Sequence, residues 1–202
     1  GSITKHRLIL GLAVAAVGFL LYANTIGYDY ALDDFSAIKN NFVTKQGLRG
    51  IPTIFTTEYR YGFRTEPGNL YRPLPLAMFA VEWQLAADRP DMYHFINVLL
   101  YALTGLVLFL TLARLLKRYS AALPFLASLL FIAHPVHTEV VANIKSGDEI
   151  LAFLFCILAV YVLWEYLESN KWLTWDGKGA KFDYAEYVNT HLGRGKGLPA
   201  FD

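Results

Sequence analysis

The chain has 202 residues, of which 55% are hydrophobic, 15% aromatic and only 17% charged, and its formal net charge is +1. A mean hydropathy of +0.34 is too high for an ordinary soluble domain, and so small a net charge gives no basic footprint for nucleic acid; both classes are excluded in favour of a multi-pass membrane protein. The single cysteine, Cys156, lies inside an apolar run and cannot form an intramolecular disulfide.

Residues 1–7 read as a cytoplasmic N-terminus, with Gly1-Ser2 as a cloning scar and Lys5-His6-Arg7 as a basic flank. The apolar run that follows, 8–26, resembles a signal peptide, but no small-x-small cleavage site follows it, so it is read as a retained first span. A bilayer core of about 30 Å needs roughly 20 apolar residues as helix. Three further segments approach that length: 95–113, 119–136 and 150–167. The third span is the weakest, because Pro124 lies within it and it ends in His134-Pro135-Val136-His137; a kink or an early stop is expected.

Orientation follows from basic residues in short flanks. Lys5 and Arg7 precede the first span, and Arg114, Lys117 and Arg118 fill the turn between the second and third. Both flanks then face the cytoplasm, and the long loop 27–91 and the short loop 139–149 share the external or lumenal side. The expectation is a bacterial inner membrane with a periplasmic active face. Residues 176–202 form a polar, glycine-rich cytoplasmic tail, read as a linker, a mobile tail or sequence foreign to the natural protein.

The long loop holds the adjacent acids Asp33-Asp34, just beyond the first span. Ionisable groups beside hydrocarbon are costly and usually functional. Either acid can cap a helix starting near Phe35; two together, partly desolvated, suit a general base or a cation ligand, since like charges raise one of the two pKa values. Further on come the turn signals of 47–52 and the aromatic-basic stretch 59–64. Segment 74–87 is apolar nearly all round, contains Glu82 and Gln84, and is too short to span, so it reads as an interfacial helix with Trp83 at home there. Immediately before it, Arg72 either snorkels to headgroups or binds a phosphate bidentately.

His134, His137 and Glu139 offer three potential ligands within a short stretch, yet Pro135 interrupts the helix that would align them and no further His or Cys cluster completes a metal site. The alternatives are hydrogen bonding to an anionic substrate or to the acid pair, and a plain interface role. Lys145, Asp148 and Glu149 open the fourth span and join the same polar pocket. Tyr93-His94 and Asn97 read as interface anchors and interhelical glue. No cofactor motif is present, and a divalent cation is left open.

Taken in order, Leu32-Asp33-Asp34 with Ile38 and Asn40-Asn41, then Tyr71-Arg72-Pro73-Leu74, Tyr93-His94 with Asn97-Val98-Leu99-Leu100, and His134-Pro135-Val136-His137-Thr138-Glu139-Val140-Val141 resemble the N-terminal part of the GT-C polytopic glycosyltransferases. The resemblance is nearest the branch with transmembrane spans followed by tetratricopeptide repeats, related to protein O-mannosyltransferases, and it covers about residues 8–170. It implies an inverting transfer of a sugar from a polyprenyl-phosphate lipid to a hydroxyl on a protein or glycan. Asp33 matches the base of such enzymes and Asp34 its partner; Arg72 and His137, then His134 and Lys145, are the candidates for the departing phosphate. Where the family's pattern implies an arginine between Ser146 and Asp148, this chain has Gly147. The family also implies more spans and a repeat domain, so a truncated enzyme is expected.

The expected class is therefore an all-α membrane protein with about four transmembrane helices and a large folded external loop containing interfacial helices. Its partners are the membrane, the sugar lipid and the acceptor, with no nucleic acid. The competing reading is a non-catalytic scaffold or lipid-binding subunit. A transporter is disfavoured, since the spans carry almost no ionisable residue at mid-depth.

Overall fold

The computed structural model describes residues 5–63, 68–169, 173–175 and 180–182. The elements are α1 (Lys5–Tyr22), α2 (Ile51–Ile54), α3 (Pro73–Ala86), α4 (Pro90–Leu115), α5 (Ala122–Ile132), α6 (Thr138–Val141) and α7 (Gly147–Ser169), followed by strands β1 (Leu173–Trp175) and β2 (Ala180–Phe182). Among the described residues the regular elements are thus helices, apart from a short antiparallel hairpin in which Thr174 pairs with Lys181. That hairpin overlaps the expected polar tail; the rest of 176–202 lies outside the described residues, as do Arg64 and Gly1-Ser2. The chain divides into two compact units, 1–157 and 158–202. The first contains the core packing and the clefts described below; the second holds the end of α7 and the hairpin.

Three helical stretches are long and apolar enough to cross a bilayer: Lys5–Gly27, Pro90–Leu115 and Ile144–Ser169. A fourth crossing exists only if Ala122–Ile132 and Pro135–Val141, bent by 46°, make one broken span. On its own α5 has 11 residues, roughly 16 Å of helix, about half a bilayer core. The break has a local cause, though a different one from Pro124. Pro124 sits in the first turn of α5, where its missing N–H would have had no helical partner. The helix ends ahead of Pro135, which forces His134 into an extended conformation at φ −68°, ψ 126°.

Packing inside the first unit runs through α4. Helix α1 lays Gly11, Val14, Gly18 and Tyr22 against it, a helical spacing that leaves Leu8, Leu12 and Leu20 exposed for lipid. Gly18 and Gly105 both face Ile132: a Cβ at either would come within 3.1 Å or less of its side chain, so the absence of side chains there lets α1, α4 and α5 close together. Tyr101 Oη donates to the Ile132 carbonyl at 2.9 Å and fixes the end of α5 on α4.

Residues 27–91 form a folded cap with a core of its own. Tyr30, Ile38, Val43, Ile54, Tyr59, Leu76 and Phe79 bury themselves together with Tyr93 and Ile144. Helix α3 is the predicted 74–87 helix, begun by Pro73. Its 14 residues span roughly 21 Å, so it packs over the cap without crossing a membrane. It carries one unexpected group: Glu82 is 4% exposed, and neither carboxylate oxygen has a partner.

Candidate functional site

The two adjacent acids part company. Residues 35–39 make a π-helical turn whose entry turns Asp34 inward, to complete burial, and leaves Asp33 exposed. Asp34 is fully engaged: one oxygen accepts the Ala31 N–H at 2.9 Å and the other the Lys145 N–H at 2.7 Å. Burial pushes its carboxyl above the usual range, and those two N–H donors oppose the shift. Asp33 makes no side-chain hydrogen bond among the described residues and uses only its carbonyl, which accepts from Ser36 and Ala37. Asp34 is therefore a tether, and of the pair Asp33 alone has a carboxylate open to a proton.

The tether brings the 143–146 turn under the cap. Asn143 caps that turn by accepting from the Lys145 N–H at 3.1 Å. Asn97, buried on α4, donates to the carbonyls of Asn143 and Ile144 at 3.0 and 3.1 Å, the interhelical role expected of it. A Cβ at Gly147 would collide with Asn97 Oδ1, so the arginine the family pattern implies has no room beside this asparagine.

From the turn emerges the charged cluster. Asp148 Oδ2 lies 3.4 Å from Arg72 Nη1 and 3.8 Å from Lys145 Nζ; the aspartate side chain is 6% exposed and the arginine 47%. Arg72 and Asp148, with Pro73, Leu74, Pro75, Glu149, Leu151, Ala152 and Phe155, line a cleft of about 360 Å³ between α3 and α7. Three charged side chains, Arg72, Asp148 and Glu149, meet otherwise apolar walls, the character of a site for an amphiphile. Asp33 is not among the lining residues.

His137 belongs to a second cleft, of about 280 Å³, lined by Tyr101, Thr104, Phe131, Val140, Glu149, Ile150 and Phe153. Its ring packs on Phe131 with centroids 4.5 Å apart. Exposed Glu149 borders both clefts. His134 is used locally: its Nδ1 accepts the Val136 N–H at 3.2 Å and so caps the turn. Glu139 is exposed. No group of three metal-ligating side chains occurs among the described residues.

One residue of this neighbourhood carried no sequence signal beyond its place in the aromatic-basic stretch. Tyr59 is 5% exposed, and its hydroxyl has no hydrogen-bond partner. Burial pushes the phenol up to about 12, helped by the Asp148 charge; Arg72 and Asp33 act on the same hydroxyl, in opposite senses. Its backbone N–H donates to the Leu70 carbonyl at 2.7 Å, which sets it beside the strand of chain leading to Arg72.

Comparison with known proteins gives a consistent set of relatives. Protein O-mannosyl-transferase TMTC2 of Mus musculus is 35% identical over 164 residues, 76% of this chain and 18% of that protein. Protein O-mannosyl-transferase TMTC1 of Homo sapiens is 32% identical over 148 residues, 72% and 17% respectively. Protein O-mannosyl-transferase Tmtc1 of Drosophila melanogaster is 30% identical over 173 residues, 83% and 20%. The chain thus spans a fifth or less of the length of these relatives. No family model matches the chain, and no solved structure matches it.

Proposed function

Over about three quarters of its length the chain belongs to the TMTC branch of the protein O-mannosyl-transferases, and we propose that it forms part of the active site of an inverting, GT-C type transferase. The donor is a mannosyl group on a polyprenyl phosphate, and the acceptor is a hydroxyl on a protein. Asp33 takes the acceptor's proton; the oxygen attacks the anomeric carbon, the bond from that carbon to the phosphate oxygen breaks, and its electron pair leaves with the lipid phosphate. Arg72, with Lys145 behind it, stabilises the departing phosphate, and the apolar walls of the Arg72 cleft receive the start of the prenyl chain.

The observation that carries this reading is the convergence at one end of the helices of an open carboxylate, Asp33, and the Arg72–Asp148–Lys145 cluster, held together by the Asp34 tether. Arg72 is engaged only at 3.4 Å and is half exposed, so it can re-aim at an anion. His137 is a candidate for the same anion from the second cleft. The site turn is bonded to Asn97 near the start of α4, whereas Arg114, Lys117 and Arg118 lie at and beyond its other end. The relatives named above are animal proteins and lend nothing to a bacterial inner membrane or a periplasmic face; the reading kept is an external or lumenal face of a multi-pass membrane protein.

A second reading has an observation of its own. Because Asp33 does not line the Arg72 cleft, a subunit that binds lipid phosphate without chemistry fits the same cleft. Transfer of labelled mannose from a mannosyl phosphoryl polyprenol to an acceptor peptide, in the full-length membrane protein, separates the two. Loss of transfer in Asp33→Asn with lipid binding intact supports the transferase; binding with no transfer by the unaltered protein supports the lipid-binding subunit.

A further inference from the structure

Leu32, the residue before Asp33, holds a conformation that leucine rarely takes. Its φ is +45°, in the left-handed region where the Cβ crowds the backbone; for a bulky side chain this is an outlier that the surrounding structure has to impose. The cause is local. The Asp34 N–H donates to the Ala31 carbonyl at 2.9 Å and an Asp34 carboxylate oxygen accepts the Ala31 N–H at 2.9 Å, so the chain reverses over Leu32 and Asp33. That reversal leaves Asp34 buried and Asp33 exposed.

The turn explains the conformation but not the leucine. Asparagine fits such a backbone with less strain. Packing does not explain it either: Leu32 is 83% exposed, so its side chain contributes little apolar burial to the fold. Phe35, on the far side of the acid pair, is 41% exposed, and its backbone N–H donates to the Leu32 carbonyl at 3.4 Å. The open carboxylate of Asp33 is thus flanked, on one turn, by two exposed apolar side chains.

Their surroundings narrow what can cover them. Every charge between Asp29 and Phe35 is acidic, and Asp29 and Asp33 are exposed. Sinking Leu32 into hydrocarbon would desolvate the neighbouring Asp33, and anionic headgroups would be repelled. The donor lipid belongs to the Arg72 cleft, which neither Leu32 nor Phe35 lines. A polypeptide, by contrast, can present a hydroxyl and an apolar side chain on adjacent residues, one for Asp33 and one for the apolar pair.

We propose that Leu32 and Phe35 form an acceptor-binding rim around Asp33, which selects a polypeptide segment whose serine or threonine has an apolar neighbour. The hydroxyl meets the Asp33 carboxylate while the neighbouring side chain covers Leu32 and packs towards Phe35. This rests on the proposed transferase reading, in which Asp33 takes the acceptor's proton. Leu32 then sets which acceptor is used, and the Arg72 cleft sets the donor.

The test uses the full-length membrane protein in detergent with mannosyl phosphoryl polyprenol and two acceptor peptides. Each carries a single threonine, flanked by leucine in one peptide and by glutamine in the other. The unaltered protein should have the lower KM for the leucine peptide. Leu32→Asn should raise that KM about tenfold, the scale of burying part of one leucine side chain, and erase the preference, while KM for the donor lipid holds. Its melting temperature without substrate should hold or rise, because asparagine tolerates the positive φ. Leu32→Met, which keeps the apolar surface, should keep the preference. Equal KM values for the two peptides with the unaltered protein overturn the rim, as does a Leu32→Asn protein that keeps the preference. A fall in its melting temperature places the leucine in the fold, and a changed donor KM with the peptide preference intact places it against lipid; either overturns the proposal. If the unaltered protein transfers mannose to neither peptide, the transferase reading falls and the rim with it; if transfer occurs and only the preference fails, the transferase reading stands.

Discussion

The Asp34 carboxylate accepts the backbone N–H of Lys145 at 2.7 Å across 111 residues of sequence. This one bond joins the loop after the first span to the start of the last, and the charged cluster is assembled around it. Asp148 and Glu149 follow Lys145 by one turn, Asp33 precedes Asp34 by one residue, and the site inherits its geometry from that junction.

Substitution of the two acids should therefore divide stability from activity. Asp34→Asn keeps the volume but sets an NH₂ group against one of two backbone N–H donors, leaving a buried donor unsatisfied; a loss of about 2 kcal/mol in unfolding free energy is expected. Asp33→Asn alters an exposed side chain without hydrogen bonds and should shift stability by less than about 0.5 kcal/mol while removing transfer. Denaturant unfolding beside a transfer assay measures both. Equal destabilisation by the two changes would contradict the assignment of the tether to Asp34.

Gly147 and Asn97 should behave as a coupled pair. Gly147→Ala pushes a methyl group into Asn97 Oδ1 and is expected to cost about 1–3 kcal/mol, the range for overpacking a filled site. In an Asn97→Ala background the same methyl group meets only the flexible end of Met78, at 3.2 Å, so the second change should cost much less. A double-mutant cycle on thermal unfolding reads the coupling; additive effects would mean that Gly147 is not held against Asn97.

The neighbouring histidines should separate as well. His134→Ala removes an acceptor for one backbone N–H in an exposed turn and should cost about 1 kcal/mol or less, with transfer retained. His137→Ala empties one side of the second cleft beside Phe131 and Tyr101 and should lower transfer if the imidazole meets the donor phosphate. Parallel melting curves and transfer rates check the division, and a larger transfer loss at His134 would reverse it.

Much of the architecture was legible because bilayer thickness and hydrogen-bond satisfaction leave few options. The first, second and last spans, the 74–87 helix and the weakness of the third span all follow from apolar length and proline placement. The fine structure of the site was not legible, and the acid pair shows why. Adjacent residues on a turn point in different directions, and which one is buried depends on a bond partner 111 residues away, a relation no local pattern contains. Of the two features expected to weaken the third span, the His134-Pro135 run ends the helix, whereas Pro124 falls in the first turn of α5, where a proline is tolerated, a distinction that depends on where the helix starts. Tyr59 was visible as an aromatic in a basic stretch, while the isolation of its hydroxyl belongs to tertiary packing alone.

Glu82 makes the stability of the cap depend on pH, and the sign can be worked out. Burial alone pushes its carboxyl up to about 8 from an ordinary 4.5. Between pH 4.5 and 8 the unfolded chain releases this proton and the folded chain retains it, so the folded state binds more protons and stability falls as pH rises. Below that window both states are protonated, above it both are ionised, and the contribution is flat on either side. The whole swing is a few kcal/mol at most, from 1.36 kcal/mol per pKa unit. Glu82→Gln, which has no proton to lose, should match the parent near pH 4.5 and exceed it increasingly towards pH 8. Melting temperatures of the two proteins across pH 4.5–9 in one detergent provide the measurement. Parallel curves would show that Glu82 is solvated or paired in the folded protein, and a parent that gains stability with rising pH relative to the glutamine variant would mean that its carboxylate is held by a cation.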